Sequence, residues 1–186
     1  NSESNIVIKD ILGESSYIIA DSLKKQLYEV RLKNSVHLFE YDDAYYCSEY
    51  IMDNYSALLD SAELSDLENS FKIWKAAKLP GKQSVEFKGD SKIIISRDLA
   101  GLINIPVTGG GETENFIFDT GANFSVVTET MAKKMKLKML EGVIDVGSIT
   151  GKKVTSALAL AEKLIIGDIT FYHVVFLVMP DESLSF

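Results

Sequence analysis

The chain has 186 residues, 46% hydrophobic and 25% charged, with a net charge of −8. This is globular composition, enough for one medium domain or for two small ones near the lower limit for a self-sufficient core. An acidic surface repels phosphate backbones and argues against a nucleic-acid partner, and no apolar run approaches the roughly 20 residues that span a bilayer.

Charge is uneven along the chain. Residues 1–80 hold 8 basic and 14 acidic residues, the remainder 11 and 13. The single cysteine, Cys47, excludes an internal disulfide and lies in an aromatic, helical context that predicts a buried thiol. His37 and His173 are far apart, so no metal-ligand spacing appears, and neither metal nor cofactor is expected.

Residues 1–80 read as a small all-α region, of helical-hairpin or helical-repeat type, without a clean repeat. Three apolar stripes follow helical spacing: Ile19, Leu23, Leu27 and Val30; then Ala44, Cys47, Ile51, Tyr55 and Leu58; then Leu64, Leu67, Phe71 and Trp74. Ser65 with Glu68 fits a capping box for the last. Tyr41, Tyr45, Tyr46, Tyr50 and Tyr55 crowd the second stripe, as half-buried packing or, alternatively, as a peptide-binding face.

The stretch "LPGKQS", with Pro80 and Gly81, ends the helical pattern and sets a second region at 81–186. Strand-like patterns follow at Ser84–Lys88, in the β-branched run Ile93–Ile95, and at Ile103, Ile105 and Val107. Pro106 must turn its nitrogen away from a ladder. "TGGGET" lacks the spacing of a phosphate loop and reads as a hairpin turn between Leu102–Val107 and Asn115–Asp119. Thr128 is the expected N-cap of a short helix, "ETMAKK", whose lysines read as a solvated face. Further strands are expected at Val143–Ile149, Lys153–Ala161, Lys163–Ile166 and Ile169–Val178. The fold class is α+β, helical first and mostly β after.

"FIFDTGANFSVV" carries the chemistry. Phe116, Ile117 and Phe118 are apolar on both faces, which predicts a central strand. That strand ends in Asp119, an acid costly to bury unless paired, hydrogen-bonded or protonated. Thr120 offers a hydroxyl to a neighbouring backbone or a symmetric partner. Gly121 permits a close approach or a positive φ, Ala122 keeps the approach clear, and Ser125 is placed to cap the turn or to bond the acid. Two such carboxylates about 3 Å apart cannot both ionise, so a pair shares one proton and acts as base on water and as acid on a carbonyl. A lone Asp in a strand-turn-helix is the plainer reading.

The motif resembles the Asp-Thr-Gly-Ala active-site turn of the retropepsin-like aspartic proteases, and among them the bacterial aspartyl-protease-like proteins with a helical region ahead of the protease lobes. The similarity covers roughly residues 83–186. It implies that Asp119 is the catalytic acid, that Thr120 bonds across a two-lobe interface, and that Gly121 and Ala122 line the substrate. It also implies a flap hairpin in "VIDVGSITGKKVTSALA" with its tip at Ser148, Ile149, Thr150 and Gly151. The implied substrate is a peptide or protein. The implied location is periplasmic, extracellular or cell-surface.

One Asp-Thr-Gly is present, so the second acid is expected from a second lobe of a longer chain or from a homodimer partner. The lobe is expected to stop short of a closing apolar-apolar-Gly motif, "LIIG" at Leu164–Gly167 reading instead as the start of a hairpin, and the chain alone is expected to be inactive. The alternative function is a non-catalytic peptide- or protein-binding module that keeps the acid-protease fold. An actin-like ATPase also places an Asp-x-Gly after a first strand, but needs about twice this length and further phosphate loops.

Overall fold

The computed structural model describes residues 1–14, 17–78, 81–87, 89–121, 124–147 and 153–184. The chain divides into two compact units, Asn1–Lys82 and Gln83–Phe186.

The first unit is built from α1 (Ser2–Glu14), α2 (Asp21–His37), α3 (Tyr41–Tyr55) and α4 (Ser61–Ala77), with packing strongest between consecutive helices. Tyr28, Cys47, Ile51 and Tyr55 form its core, joined by Leu12, Leu32, Tyr50, Leu59 and Leu67. The expected stripe on α3 is buried from Ala44 to Tyr55, but Leu58 is exposed because the helix gives way to a 3-10 turn at Ser56–Leu58. On α2 the expected stripe is rotated off the core: Leu23 and Val30 are exposed, while Tyr28 and Ser35 are buried. A polar network accounts for this. Ser35 Oγ accepts from Asn5 Nδ2 at 3.0 Å and lies 2.8 Å from both Arg31 O and Asp43 Oδ2. Satisfied polar groups can occupy a core face that hydrophobic periodicity does not register.

The cap of α4 lies five residues ahead of the expected Ser65–Glu68 box. Asp60 Oδ1 accepts from Ala62 N and Glu63 N, each at 2.8 Å, and Asp60 N donates to Glu63 Oε2 at 2.9 Å. The extended backbone of Leu59 and Asp60 fixes the start of the helix there. The tyrosines pack internally: Tyr28 stacks on Tyr50 at 4.4 Å, Tyr41 on Trp74 at 5.7 Å and Tyr45 on Phe71 at 4.9 Å between ring centroids. Cys47 is fully buried, and burial pushes its thiol up to about 12.

The second unit is a sheet of β1 (Ser84–Glu86), β2 (Ser96–Arg97), β3 (Ile103–Gly109), β4 (Glu112–Ile117), β5 (Ser125–Thr128), β6 (Lys138–Gly147), β7 (Lys153–Ile166) and β8 (Ile169–Met179), with α5 (Glu129–Lys134) between β5 and β6. The order β1-β8-β7-β3-β2 forms the path, with β4 on β3, β5 on β8 and β6 on β7. All pairings are antiparallel except β5 with β8. His173, at φ 57, lies where β8 changes neighbour, between the last β1 pair at Tyr172 and the first β5 pair at Phe176.

The β3–β4 hairpin turns on Gly110 and Gly111, both at positive φ, as a two-residue loop requires. Gly110 also packs on the end of α5, where an added Cβ would meet Met135 O at 2.2 Å. Phe118 N donates to Ile103 O, so hydrogen-bonded pairs fall at 103 and 105, and Pro106 turns its nitrogen away from β4. The core gathers Val107, Val127, Ala132, Met135, Ala159, Ala161, Leu164, Phe176 and Val178.

Three expectations change. The run Ile93–Ile95 is not a strand: Ile94 and Ile95 are exposed, and β-propensity without a partner strand builds no ladder. The two strands expected at 153–161 and 163–166 are one, β7, because β8 pairs with it from Ala157 to Ile166 in one register, across the expected break. β6 starts at Lys138 rather than Val143, with a register shift between Leu140 and Val143.

Candidate active site

β4 delivers the chain to the acid. Its last pair with β3 is Ile117 opposite Asn104, and the Phe118 N to Ile103 O bond of 2.8 Å carries the pairing one residue further. Asp119 follows, then Thr120 and Gly121 in a turn, all three exposed. Asp119 Oδ1 accepts from Gly121 N at 2.8 Å, a turn in which the acid fixes its own loop. Gly121 is not at positive φ. Its value lies in room, since a Cβ there would sit 3.3 Å from Asp119 Oδ1.

Ala122 lies outside the described residues. Ser125 opens β5, exposed and paired with Phe176 in the parallel ladder, and the hydrogen bond described for the Asp119 carboxylate comes from Gly121 rather than from Ser125. The chain then runs directly into α5, where Thr128 Oγ1 accepts from Met131 N at 3.2 Å as the expected N-cap. Asp181 braces the same helix start, accepting from Thr130 N at 3.0 Å and Thr130 Oγ1 at 2.6 Å; these bonds hold its carboxyl below the usual carboxylate range.

The strand ahead of the acid is not central, contrary to expectation. Among the described residues β4 pairs only with β3, and Ile117 and Phe118 are 42% and 55% exposed. Apolarity on both faces signals burial, but among the described residues no strand pairs with the other edge of β4.

The arms of the expected flap hairpin are β6 and β7, paired as far as Gly147 with Lys153. Its expected tip, Ser148, Ile149, Thr150 and Gly151, lies outside the described residues. After Leu164–Gly167 the chain turns at Gly167 (φ 59) into β8, a hairpin and not a helix. No group of three or more metal-ligating side chains occurs among the described residues, and no described helix is long and apolar enough to cross a membrane.

A loop missed in the sequence adjoins the acid. Asp98 Oδ1 accepts from Ala100 N at 2.9 Å and Leu102 N at 3.0 Å, and Asp98 Oδ2 from Asn104 Nδ2 at 3.2 Å. Desolvation acts to raise this carboxyl, but the bonds from Leu102, Asn104 and Ala100 outweigh it and hold it below the usual range. The signal was the Asp-x-x-Gly turn chemistry of "DLAG" after a short strand.

Residues 105–185 match a family model described as aspartyl protease. Among solved structures, the chain is similar to a retropepsin-like aspartic protease from Rickettsia conorii, with 24% identity, 52% of this chain and 69% of that chain covered, and a TM-score of 0.34. Comparison with curated proteins finds no match. The segment similar to the aspartyl protease family runs from within β3 towards the end of the chain and includes the Asp119 turn.

Proposed function

We propose that the β-rich unit is one half of an aspartic peptidase, in which Asp119 supplies one acid and a second lobe or subunit supplies the other. The observation that carries this reading is the exposed Asp119 at the end of β4, held by Gly121 N inside the segment that matches the aspartyl protease family. An acid presented outward from a short turn suits pairing with a like acid. Two carboxylates in contact share one proton, and their titration belongs to the pair. The ionised member takes a proton from water. The water oxygen attacks the carbonyl carbon while the protonated member donates to the carbonyl oxygen; on collapse the amine leaves with the proton taken from water, and the tetrahedral hydroxyl returns a proton to the second acid. Thr120 is proposed to bond across the interface, Gly121 and Ala122 to line the substrate, and Ser148 to Gly151 to close over it.

The reading is tested by the pH dependence of kcat/KM for peptide hydrolysis by the paired form. A bell with both limbs on the acid side of neutrality is expected, one limb for each protonation step of the pair. A profile that rises monotonically to neutral pH, as for a single general base, contradicts it.

A further inference from the structure

The turn that carries Asp119 hangs from β3. Among the described residues β4 pairs with β3 alone, and the last bond of that ladder runs from Phe118 N to Ile103 O at 2.8 Å, one residue before the acid. Beyond it the turn is closed from within, by Gly121 N on Asp119 Oδ1. The place of the carboxylate therefore follows the place of the Ile103 carbonyl.

Ile103 is held in turn by the segment ahead of it. Ser96 and Arg97 pair with Asn104 and Ile103. Asp98 grips the residues on either side of Ile103: its Oδ1 accepts from Leu102 N at 3.0 Å, and its Oδ2 from Asn104 Nδ2 at 3.2 Å. Leu102 O accepts from Asp98 N at 3.2 Å and from Asn104 Nδ2 at 3.1 Å, which closes the clasp. Arg97 Nη1 ties Gly101 O at 2.6 Å, and Gly101 takes the positive φ, 81°, that the turn needs. An acid that opens a turn ordinarily organises only its own loop, through nearby amides. Asp98 does this with Ala100 N and Leu102 N, and it also holds a side chain on β3. That side chain belongs to Asn104, which faces Ile117 in the last pair of the ladder before the acid.

We propose that Asp98 is a positioning residue for the reaction, setting through Ile103 O and Phe118 N where the Asp119 carboxylate stands. It acts through the backbone and not on the reacting atoms. The proposal rests on the two-acid reading, in which the carboxylates must meet at about 3 Å. A misplacement on the order of 1 Å costs about a hundredfold in rate, even when it originates away from the chemistry.

The test takes the full chain in its paired form, as wild type, Asp98→Ala, Asp98→Asn, Asn104→Ala and Gly111→Ala, and reads peptide hydrolysis and amide NMR spectra of each. Asp98→Asn keeps an acceptor oxygen for Ala100 N and Leu102 N. Gly111→Ala strains the far end of the β3–β4 hairpin, at φ 92, and leaves the clasp whole, so it controls for lost stability. Asp98→Ala is expected to lower kcat at least about tenfold, with KM within about threefold, and to shift the Phe118 and Gly121 amide resonances. Asp98→Asn should restore kcat to within about threefold of wild type and return both resonances. Asn104→Ala, which removes the Oδ2 bond, should lower kcat several-fold, and it stands in for Asp98→Ala if that protein does not fold. Gly111→Ala should keep the wild-type kcat. A kcat within a factor of about two of wild type in Asp98→Ala overturns the proposal, as do unmoved Phe118 and Gly121 resonances. So does a kcat lost equally in Asp98→Asn or in Gly111→Ala, because charge or general stability then sets the rate. Wild-type hydrolysis that is absent, or that survives Asp119→Asn, defeats the two-acid reading instead. The resonances then decide the coupling alone: a shift in Asp98→Ala that Asp98→Asn reverses upholds it, and no shift overturns it.

Discussion

Phe118 donates its amide to Ile103 O at 2.8 Å, and this bond ties the turn that carries Asp119 to the loop ahead of β3. The acid's backbone position therefore depends on the Asp98 clasp, which fixes Leu102 and the start of β3 by hydrogen bonds from Ala100 N, Leu102 N and Asn104 Nδ2.

Asp98→Ala removes those three acceptor bonds and frees the loop. Hydrogen exchange at the Ala100 and Leu102 amides is expected to rise at least several-fold, with a smaller rise at Phe118, while the β7–β8 amides keep their protection. Protection unchanged at Ala100 and Leu102 would show that the strand pairing alone holds the loop. Acid acts in the same direction. A carboxyl held below its unfolded value contributes order that is present above about pH 3.9 and lost as pH falls through the folded value.

The two hairpin glycines separate strain from collision. Gly111, at φ 92, has nothing within 4 Å of an added Cβ, so Gly111→Ala is expected to cost only the backbone strain, about 1 kcal/mol. Gly110, at φ 60, would drive its Cβ to 2.2 Å from Met135 O, so Gly110→Ala is expected to cost well over about 2 kcal/mol in urea unfolding. Equal costs would mean that α5 yields freely.

Arg31 and Asp43 join α2 to α3 by a two-point ion pair, one arm being Nε to Oδ2 at 2.9 Å. Desolvation acts to raise the Asp43 carboxyl, but the bonds from Arg31 and Ser35 and the charges of Arg31 and Lys9 outweigh it, and the group is held below its usual range. Its folded value is depressed, so its stabilisation is complete above about pH 3.9 and disappears as pH falls through the folded value. The helical unit's melting point is expected to fall below pH 4. Asp43→Asn should flatten that acid limb and, by leaving the guanidinium partly buried without its partner, cost about 3 kcal/mol at neutral pH. An acid limb unchanged in Asp43→Asn would assign the pH sensitivity to other carboxylates.

The legible parts of the fold were those where one physical signal acted alone. The α3 stripe from Ala44 to Tyr55 is apolar and follows helical spacing, and it is the core. "TGGGET" could only be a tight turn, and Thr128 capped the helix it preceded. The α2 face was hidden because Ser35 and Asn5 are buried by hydrogen bonds, which hydropathy cannot register. The Ile93–Ile95 run misled because β-branched residues report fitness for a ladder and not the presence of a neighbouring strand. The turn after Asp119 was legible in the sequence, but the burial of the strand ahead of it was misjudged. Phe116, Ile117 and Phe118 are apolar on both faces, as in a central strand, yet β4 is described with a partner on one side only.

The central claim is that Asp119 is one acid of a catalytic pair. The most direct measurement is peptide hydrolysis by the Asp119→Asn protein in its paired form, compared with wild type at the optimal pH and with matched melting points. Because Asp119 is exposed and its described bond is to its own turn, the substitution is expected to leave the fold intact. The account predicts a loss of kcat/KM of at least about a hundredfold, the scale of a removed general acid or base. Hydrolysis within a factor of about two of wild type would contradict it and remove Asp119 from the chemistry.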